Sequence, residues 1–320
     1  MGNVMSLILS ATFLATIIRM TTPIMYASLA GIVVSRAGMM NLAVESTMLT
    51  GALMGVLIST WTQNAYIGLF GSVLAGILMS WVISYTALVP KADMFMNGVA
   101  YNLMMSGGTV FILYLVSGSK GMSSGLNSKV LPRIDIPVIE NIPFVGEVLS
   151  GHYLLTYLMV VFAVLMHIFL FKTKLGLKLR MVGENASAAE SVGINSIRIK
   201  MMAMCISGAM AAIGGCFMSM GYVSWFQANM VAGRGFIGMA SAALGGEKPS
   251  GAFLAAVLFG MADATAMTLS MLSIPSEVVS MIPYVITIAG LIISSIVIKS
   301  GANPIKREKN KQNFILQTKG

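Results

Sequence analysis

The sequence predicts an all-α polytopic membrane protein of about ten transmembrane helices, eight to ten, with a short helix on one cytoplasmic loop. Three observations predict it. Asp, Glu, Lys and Arg make up only 10% of the 320 residues, while 57% are hydrophobic and the mean hydropathy is +0.85; soluble domains run near a quarter charged. Several uncharged windows approach or exceed the roughly 20 residues that cross a hydrocarbon core. The basic residues are also clustered: twelve of the twenty lie in 172–200 and 299–320.

In chain order, the first 35 residues are apolar apart from Arg19 and make either one long helix or two short ones. Arg19 is expected to end the first apolar segment. No basic residue precedes that run and no small-residue cleavage site follows it, so a signal peptide is not expected. Residues 42–61 form a span carrying one acid, Glu45. The windows 66–89, 94–119, 148–171, 201–233 and 278–298 hold no Asp, Glu, Lys or Arg, and 251–272 holds only Asp263. A short segment near 233–246 separates two of these. Gly51, Gly55, Gly71, Gly76, Ser207, Gly208, Gly214 and Gly215 recur along the spans, and small residues let membrane helices approach closely. Cys205 and Cys216 lie about three helical turns apart, roughly 16 Å by rise, too far for a disulfide. They are expected to be packing residues.

Basic residues beside spans mark cytoplasmic loops. With 172–200 and the C-terminus inside, Arg36 and Lys91 also fall inside, and the charge-balanced loop 118–150 falls outside. The net charge of +9 is thus an orientation signal and does not call for nucleic acid. The chain divides into a transmembrane domain, 1–300, and a basic cytoplasmic tail, 301–320, in the cell membrane and in contact with its lipid.

The chemical motifs are mostly exclusions. Gly233 to Gly238 spells GxGxxG, but that fingerprint needs a strand, a helix and a soluble βαβ context, which this stretch lacks. There is no GxxxxGK[ST] loop. His152 and His167 stand apart as interfacial or packing residues, and no spacing suggests a metal cluster or nucleophile. No catalytic residue, metal or cofactor is therefore expected. Acids inside spans are expensive and face a cavity or a partner. Asp263 is a candidate for a translocation path. Glu45 is either that or an acid serving a helix N-terminus.

The polar stretch 180–200 stands out. Within it, 184–192 reads as a short helix, with Asn185 or Ser187 as N-cap, Glu184 favouring its positive end and Gly193 ending it. Nine residues do not hold a helix alone in water. Such a helix either lies on its own membrane domain or seats in another protein.

Here the sequence resembles the permease subunits of ABC importers of the branched-chain amino acid, simple-sugar and nucleoside group, over nearly its whole length. The resemblance rests on Thr22, Pro23, Ala27, Gly31, Arg36, Ala37, Gly38, Asn41 and Glu45. Asn102 and Leu103 extend it, as do Gly183, Glu184, Asn185, Ala188, Ala189, Gly193 and Ile194. Ser207, Gly208, Gly233 to Phe236, Pro249, Gly251 and Gly260 complete it. The N-terminal block looks most like nucleoside-type permeases. Ala43 and Ser46 stand where the family usually has glycine, and Gly245 to Pro249 lacks its usual aromatic. The resemblance implies that Gly183, Glu184, Asn185, Ala188, Ala189 and Gly193 form a coupling segment on a separate ATP-binding cassette subunit. It also implies a second permease subunit, paralogue or second copy, and an extracellular substrate-binding lipoprotein. Asn41, Glu45, Asn102 and Asp263 are then candidates for the path, and nucleosides the expected substrate. Simple sugars such as ribose or galactose are the alternative. An ion-coupled secondary transporter or a membrane-embedded enzyme would need relays or nucleophiles that the sequence scarcely offers.

Overall fold

A computed structural model describes residues 11–135 and 145–270, with 285, 286, 289 and 292. Its first helix, α1 (Ala11–Arg36), is one continuous 26-residue rod. Arg19 does not end a segment, as the sequence suggested, but lies inside this helix. Local bonding keeps the polar residues compatible with it: Thr16, Thr21 and Thr22 each return a hydroxyl to the carbonyl four residues earlier. Pro23 is also absorbed within α1, as membrane helices permit where neighbours cover the freed backbone.

The following helices match the apolar windows closely. They are α2 (Val44–Thr62), α3 (Ala65–Leu88) and α4 (Met94–Ser117). A short α5 (Val145–Leu149) precedes α6 (Leu154–Lys172). The polar stretch forms α7 (Lys174–Glu184) and α8 (Ala186–Ser191). Helix α9 (Ser196–Phe217) runs into a π turn at Met218–Tyr222, then α10 (Arg234–Leu244) and α11 (Pro249–Ser270) follow. The starts are capped as sequence chemistry dictates: Asn64, Asp93, Thr173, Asn185 and Asn195 accept backbone N–H bonds at the heads of α3, α4, α7, α8 and α9. Among the described residues, α1, α3, α4, α6, α9 with its π turn, and α11 are long and apolar enough to cross a membrane. The 278–298 window and the 301–320 tail lie outside the described residues.

Helix α1 is the hub, buried along most of its length between α9, α10, α11 and α6. Gly238 packs on Ala27 and Ala242 on Gly31, so α10 runs parallel to α1. Helix α9 inserts against both arms of the α2–α3 hairpin, with Gly215 directly on the Met48 backbone and Gly208 on Gly76. No side chain fits at those crossings. Ser72 ties them further, its hydroxyl donating to Gly51 O at 2.8 Å, and the Ser219 hydroxyl donates to Ala52 O at 2.8 Å. This is close membrane packing by small and hydroxylated residues. Helix α4 is different: Phe95, Leu103, Phe111 and Leu115 are exposed along it, so it faces lipid or another chain. Cys205 and Cys216 both lie on α9 as free thiols, Cys216 buried and Cys205 partly so.

At the end opposite the basic loop, β1 (Arg133–Ile134) pairs antiparallel with β2 (His152–Tyr153). Arg133 stacks 5.0 Å above the Tyr153 ring and bonds its hydroxyl at 3.1 Å. Ser123 and Phe226 exchange bonds of 2.8 Å, which laces the 119–134 loop to the chain leaving the π turn.

Candidate functional site

Two helices, α2 and α10, begin inside the bundle rather than at its ends. From the pairing of Gly238 with Ala27, the head of α10 lies roughly 18 Å along the α1 axis from Arg36 by helical rise. A helix head leaves backbone N–H groups unpaired, which is costly at membrane depth. Gly233, the N-cap of α10, has φ +83 and no side chain to offer. Glu45, from the first turn of α2, supplies the acceptor instead. One carboxylate oxygen accepts from Gly233 N and the other from Gly235 N, each at 2.8 Å. Beside it Arg234 Nε lies 3.3 Å from Asp263 Oδ2, with side chains 21% and 9% exposed. The acids of α2 and α11 are thus each engaged, Glu45 by backbone and Asp263 by a cation.

The head of α2 is held by two asparagines. Asn102 Oδ1 accepts from Ser46 N at 3.0 Å, and its Nδ2 donates to Leu42 O at 2.9 Å. Asn41 Oδ1 accepts from Ala43 N at 3.1 Å while its Nδ2 donates to Ser207 Oγ at 3.2 Å. Asn41, Asn102, Glu45 and Asp263 therefore sit around two helix heads and make a connected polar layer within the apolar bundle.

The irregular chain 37–43 frames a cavity of about 370 Å³ toward the basic end. Its walls include Gly31, Ser35, Met39, Asn41, Met239 and Glu247. Non-helical backbone within a membrane domain is tolerated where it is buried in protein or lines a cavity. At the cavity rim Arg36 donates to Glu247 O at 3.0 Å and to Gly246 O at 3.1 Å, and faces the Glu247 carboxylate at 3.6 Å. The Ser35 hydroxyl donates to the same carboxylate.

The polar segment 183–193 lies beneath. Its helix α8 spans six residues, shorter than the expected 184–192. Glu184 closes the preceding α7 instead of serving the head of α8, because Asn185 breaks between them in extended conformation. Asn185 caps α8 through Ala188 N at 3.0 Å. Gly193 ends it at φ +82, with N–H to Glu190 O, in open space. Ala189 is buried, whereas Glu184, Asn185, Ala188, Gly193 and the apolar Val192 are exposed. Gly183 is the anchor: it packs on the Arg36 carbonyl and on Gly38, which itself has φ +72 and would place a Cβ 2.9 Å from Gly183 O. Neither glycine leaves room for a side chain.

Sequence reasoning did not foresee Arg234 as the partner of Asp263, nor Glu247 as that of Arg36. The signal was available: a cation and an acid stranded in apolar stretches need each other. His152 is buried, Nε2 2.8 Å from Val148 O, while His167 is exposed and 4.9 Å from the Phe171 ring.

Over residues 13–291 the chain matches the family described as branched-chain amino acid transport system / permease component. It is 30% identical to the guanosine ABC transporter permease protein NupQ of Bacillus subtilis, over 90% of this chain and 92% of the relative. It is 31% identical to the nucleoside ABC transporter permease protein NupC of Lactococcus lactis subsp. cremoris, over 84% of this chain and 87% of the relative. A putative glucose ABC transporter permease protein of Haloferax volcanii, TsgC13, is 27% identical over 83% and 80%. No solved structure matches the chain.

Proposed function

The chain belongs to the permease family of branched-chain amino acid transport systems, and from that premise we propose that it forms the translocation path of an ATP-driven importer of nucleosides. The observation that carries the substrate is the similarity, along nearly the full length, to two permeases named for guanosine and for nucleosides. The glucose-named relative keeps simple sugars as the second reading. The bonding of these two buried acids supports ATP drive over ion coupling. Glu45 is committed to two backbone N–H groups and Asp263 to Arg234, which leaves neither as a free proton relay.

In this proposal the path follows the polar layer of Asn41, Asn102, Glu45 and Asp263 into the cavity beneath. Gly183, Glu184, Asn185, Ala188, Ala189 and Gly193 form the coupling segment that seats in ATP-binding cassette subunits, where ATP is hydrolysed. A second permease, paralogue or second copy, completes the path, and an extracellular lipoprotein delivers substrate. The basic loop and C-terminal tail lie in the cytoplasm, with eight to ten crossings in all. Uptake of labelled guanosine, uridine, ribose and galactose by cells with and without the chain tests the substrate. Loss of nucleoside uptake alone supports the proposal, and loss of sugar uptake alone replaces it with the second reading.

A further inference from the structure

The Arg36–Glu247 contact is more elaborate than stabilisation requires. Its ion pair is partly exposed, with side chains 25% and 39% accessible, and such pairs contribute little. Yet Arg36 adds two bonds to the carbonyls of Gly246 and Glu247, and Ser35 adds a second group to the Glu247 carboxylate. It is carried by the turn that ends α10, where Gly246 N and Glu247 N bond back to Ala243 O and Ala242 O. Gly246 and Glu247 have φ +64 and +55, and Glu247 adopts that left-handed conformation with a side chain. Strain of this kind persists only where surroundings impose it, and it gathers at switching elements. The contact joins the end of α1 to the turn between α10 and α11, and both Ser35 and Glu247 line the cavity.

The same Arg36 is touched from below. Gly183, at the head of the coupling segment, packs on the Arg36 carbonyl and on Gly38. A push on 183–193 toward α1 meets the end of α1 backbone to backbone at Gly183, with no flexible side chain between them to yield.

We propose that Arg36, Glu247 and Ser35 form a latch across the cytoplasmic mouth of the cavity, worked by the coupling segment through the Gly183–Gly38 contact. Latched, the end of α1 and the α10–α11 turn stay together. Driven by the coupling segment, Arg36 leaves the Gly246 and Glu247 carbonyls and the mouth widens. The inference rests on the proposal that 183–193 receives the stroke of an ATP-binding subunit. Arg36 and Glu247 are positioning residues in this scheme, acting through the mouth they hold.

The test is a Ser35→Cys/Glu247→Cys double variant, with Cys205→Ala and Cys216→Ala, assembled with its ATP-binding subunits in proteoliposomes. Oxidation should form a disulfide, detectable by mass spectrometry, and lower ATP hydrolysis and substrate uptake at least tenfold relative to the same sample reduced. Dithiothreitol should restore both. Hydrolysis and uptake indifferent to a confirmed disulfide would overturn the latch. A cysteine at 247 reaches less far than the glutamate it replaces, so should the double variant not assemble or its thiols not join, Glu247→Gln decides. Substrate-free ATP hydrolysis should rise at least threefold, and an unchanged rate would refute the proposal. Guanosine uptake by the unmodified complex is measured alongside. Its absence would remove the nucleoside assignment while the oxidation response still reports on the latch.

Discussion

Replacing Glu45 by alanine isolates what the head of α10 requires. The carboxylate accepts Gly233 N and Gly235 N at 2.8 Å each, and no other bond is seen for either N–H among the described residues. Hydrogen bonds to a charged group contribute about 1.5–3 kcal/mol, and a buried donor left unpaired costs about 1–3 kcal/mol. Two such buried donors place the loss at about 2–6 kcal/mol. Glu45→Gln keeps one acceptor oxygen and turns an amide donor toward the other N–H, so about half that loss is expected. With a few degrees of melting temperature per kcal/mol, the midpoint of Glu45→Ala should fall on the order of 5–15 °C, with Glu45→Gln between it and the parent. The assay is thermal unfolding of purified protein in detergent, read by tryptophan fluorescence. A Glu45→Ala protein that melts with the parent but no longer transports would refute the clamp and make the carboxylate a path group only.

Three further outcomes follow from the same geometry. Asp263→Ala strands Arg234 and should cost about 3–5 kcal/mol, whereas the joint Arg234→Met/Asp263→Leu exchange should recover most of it in the same melting assay. Gly193→Phe places a side chain in open space at φ +82, at a strain cost of about 1–2 kcal/mol. It should leave the protein folded but separate ATP hydrolysis from uptake in the assembled transporter, and normal uptake would remove 193 from the coupling segment. His152 has its pKa lowered from 6.5, chiefly by burial and further by Arg19 and Arg133, against the opposing bond to Val148 O. The unfolded chain therefore binds the proton first, and stability should fall as pH drops below about 6.5, where the unfolded imidazole becomes charged. His152→Gln should flatten that decline in melting temperature between pH 7 and 5.

The helices were legible because apolar length and flanking charge are local properties. The window 66–89 corresponds to α3 within one residue at each end, and the window 251–272 begins within two residues of α11. The caps Asn185 and Gly193 were legible for the same reason. The continuity of α1 through Arg19 was not, since a lone arginine in an apolar run resembles a boundary until neighbouring helices cover it. The site was half legible. Glu45 carried two meanings in the sequence, and the structure places it on the helix head, but that head lies 188 residues away along the chain. No periodicity links the two, and the GxG at Gly233–Gly235 read as a rejected nucleotide fingerprint instead of a bare helix start. The 183–193 segment was placed by its polarity, whereas its seat on Arg36 and Gly38 arises only once α7 folds back against α1.

In the proposed function, ATP hydrolysed by partner subunits drives nucleoside through this chain. The most direct measurement is guanosine accumulation in proteoliposomes holding the chain with its ATP-binding subunits, second permease and binding lipoprotein. ATP, or a non-hydrolysable analogue, is supplied on the side of the basic loop. Accumulation against a gradient is expected with ATP and none with the analogue. Accumulation driven by a proton or sodium gradient in the absence of ATP would contradict it.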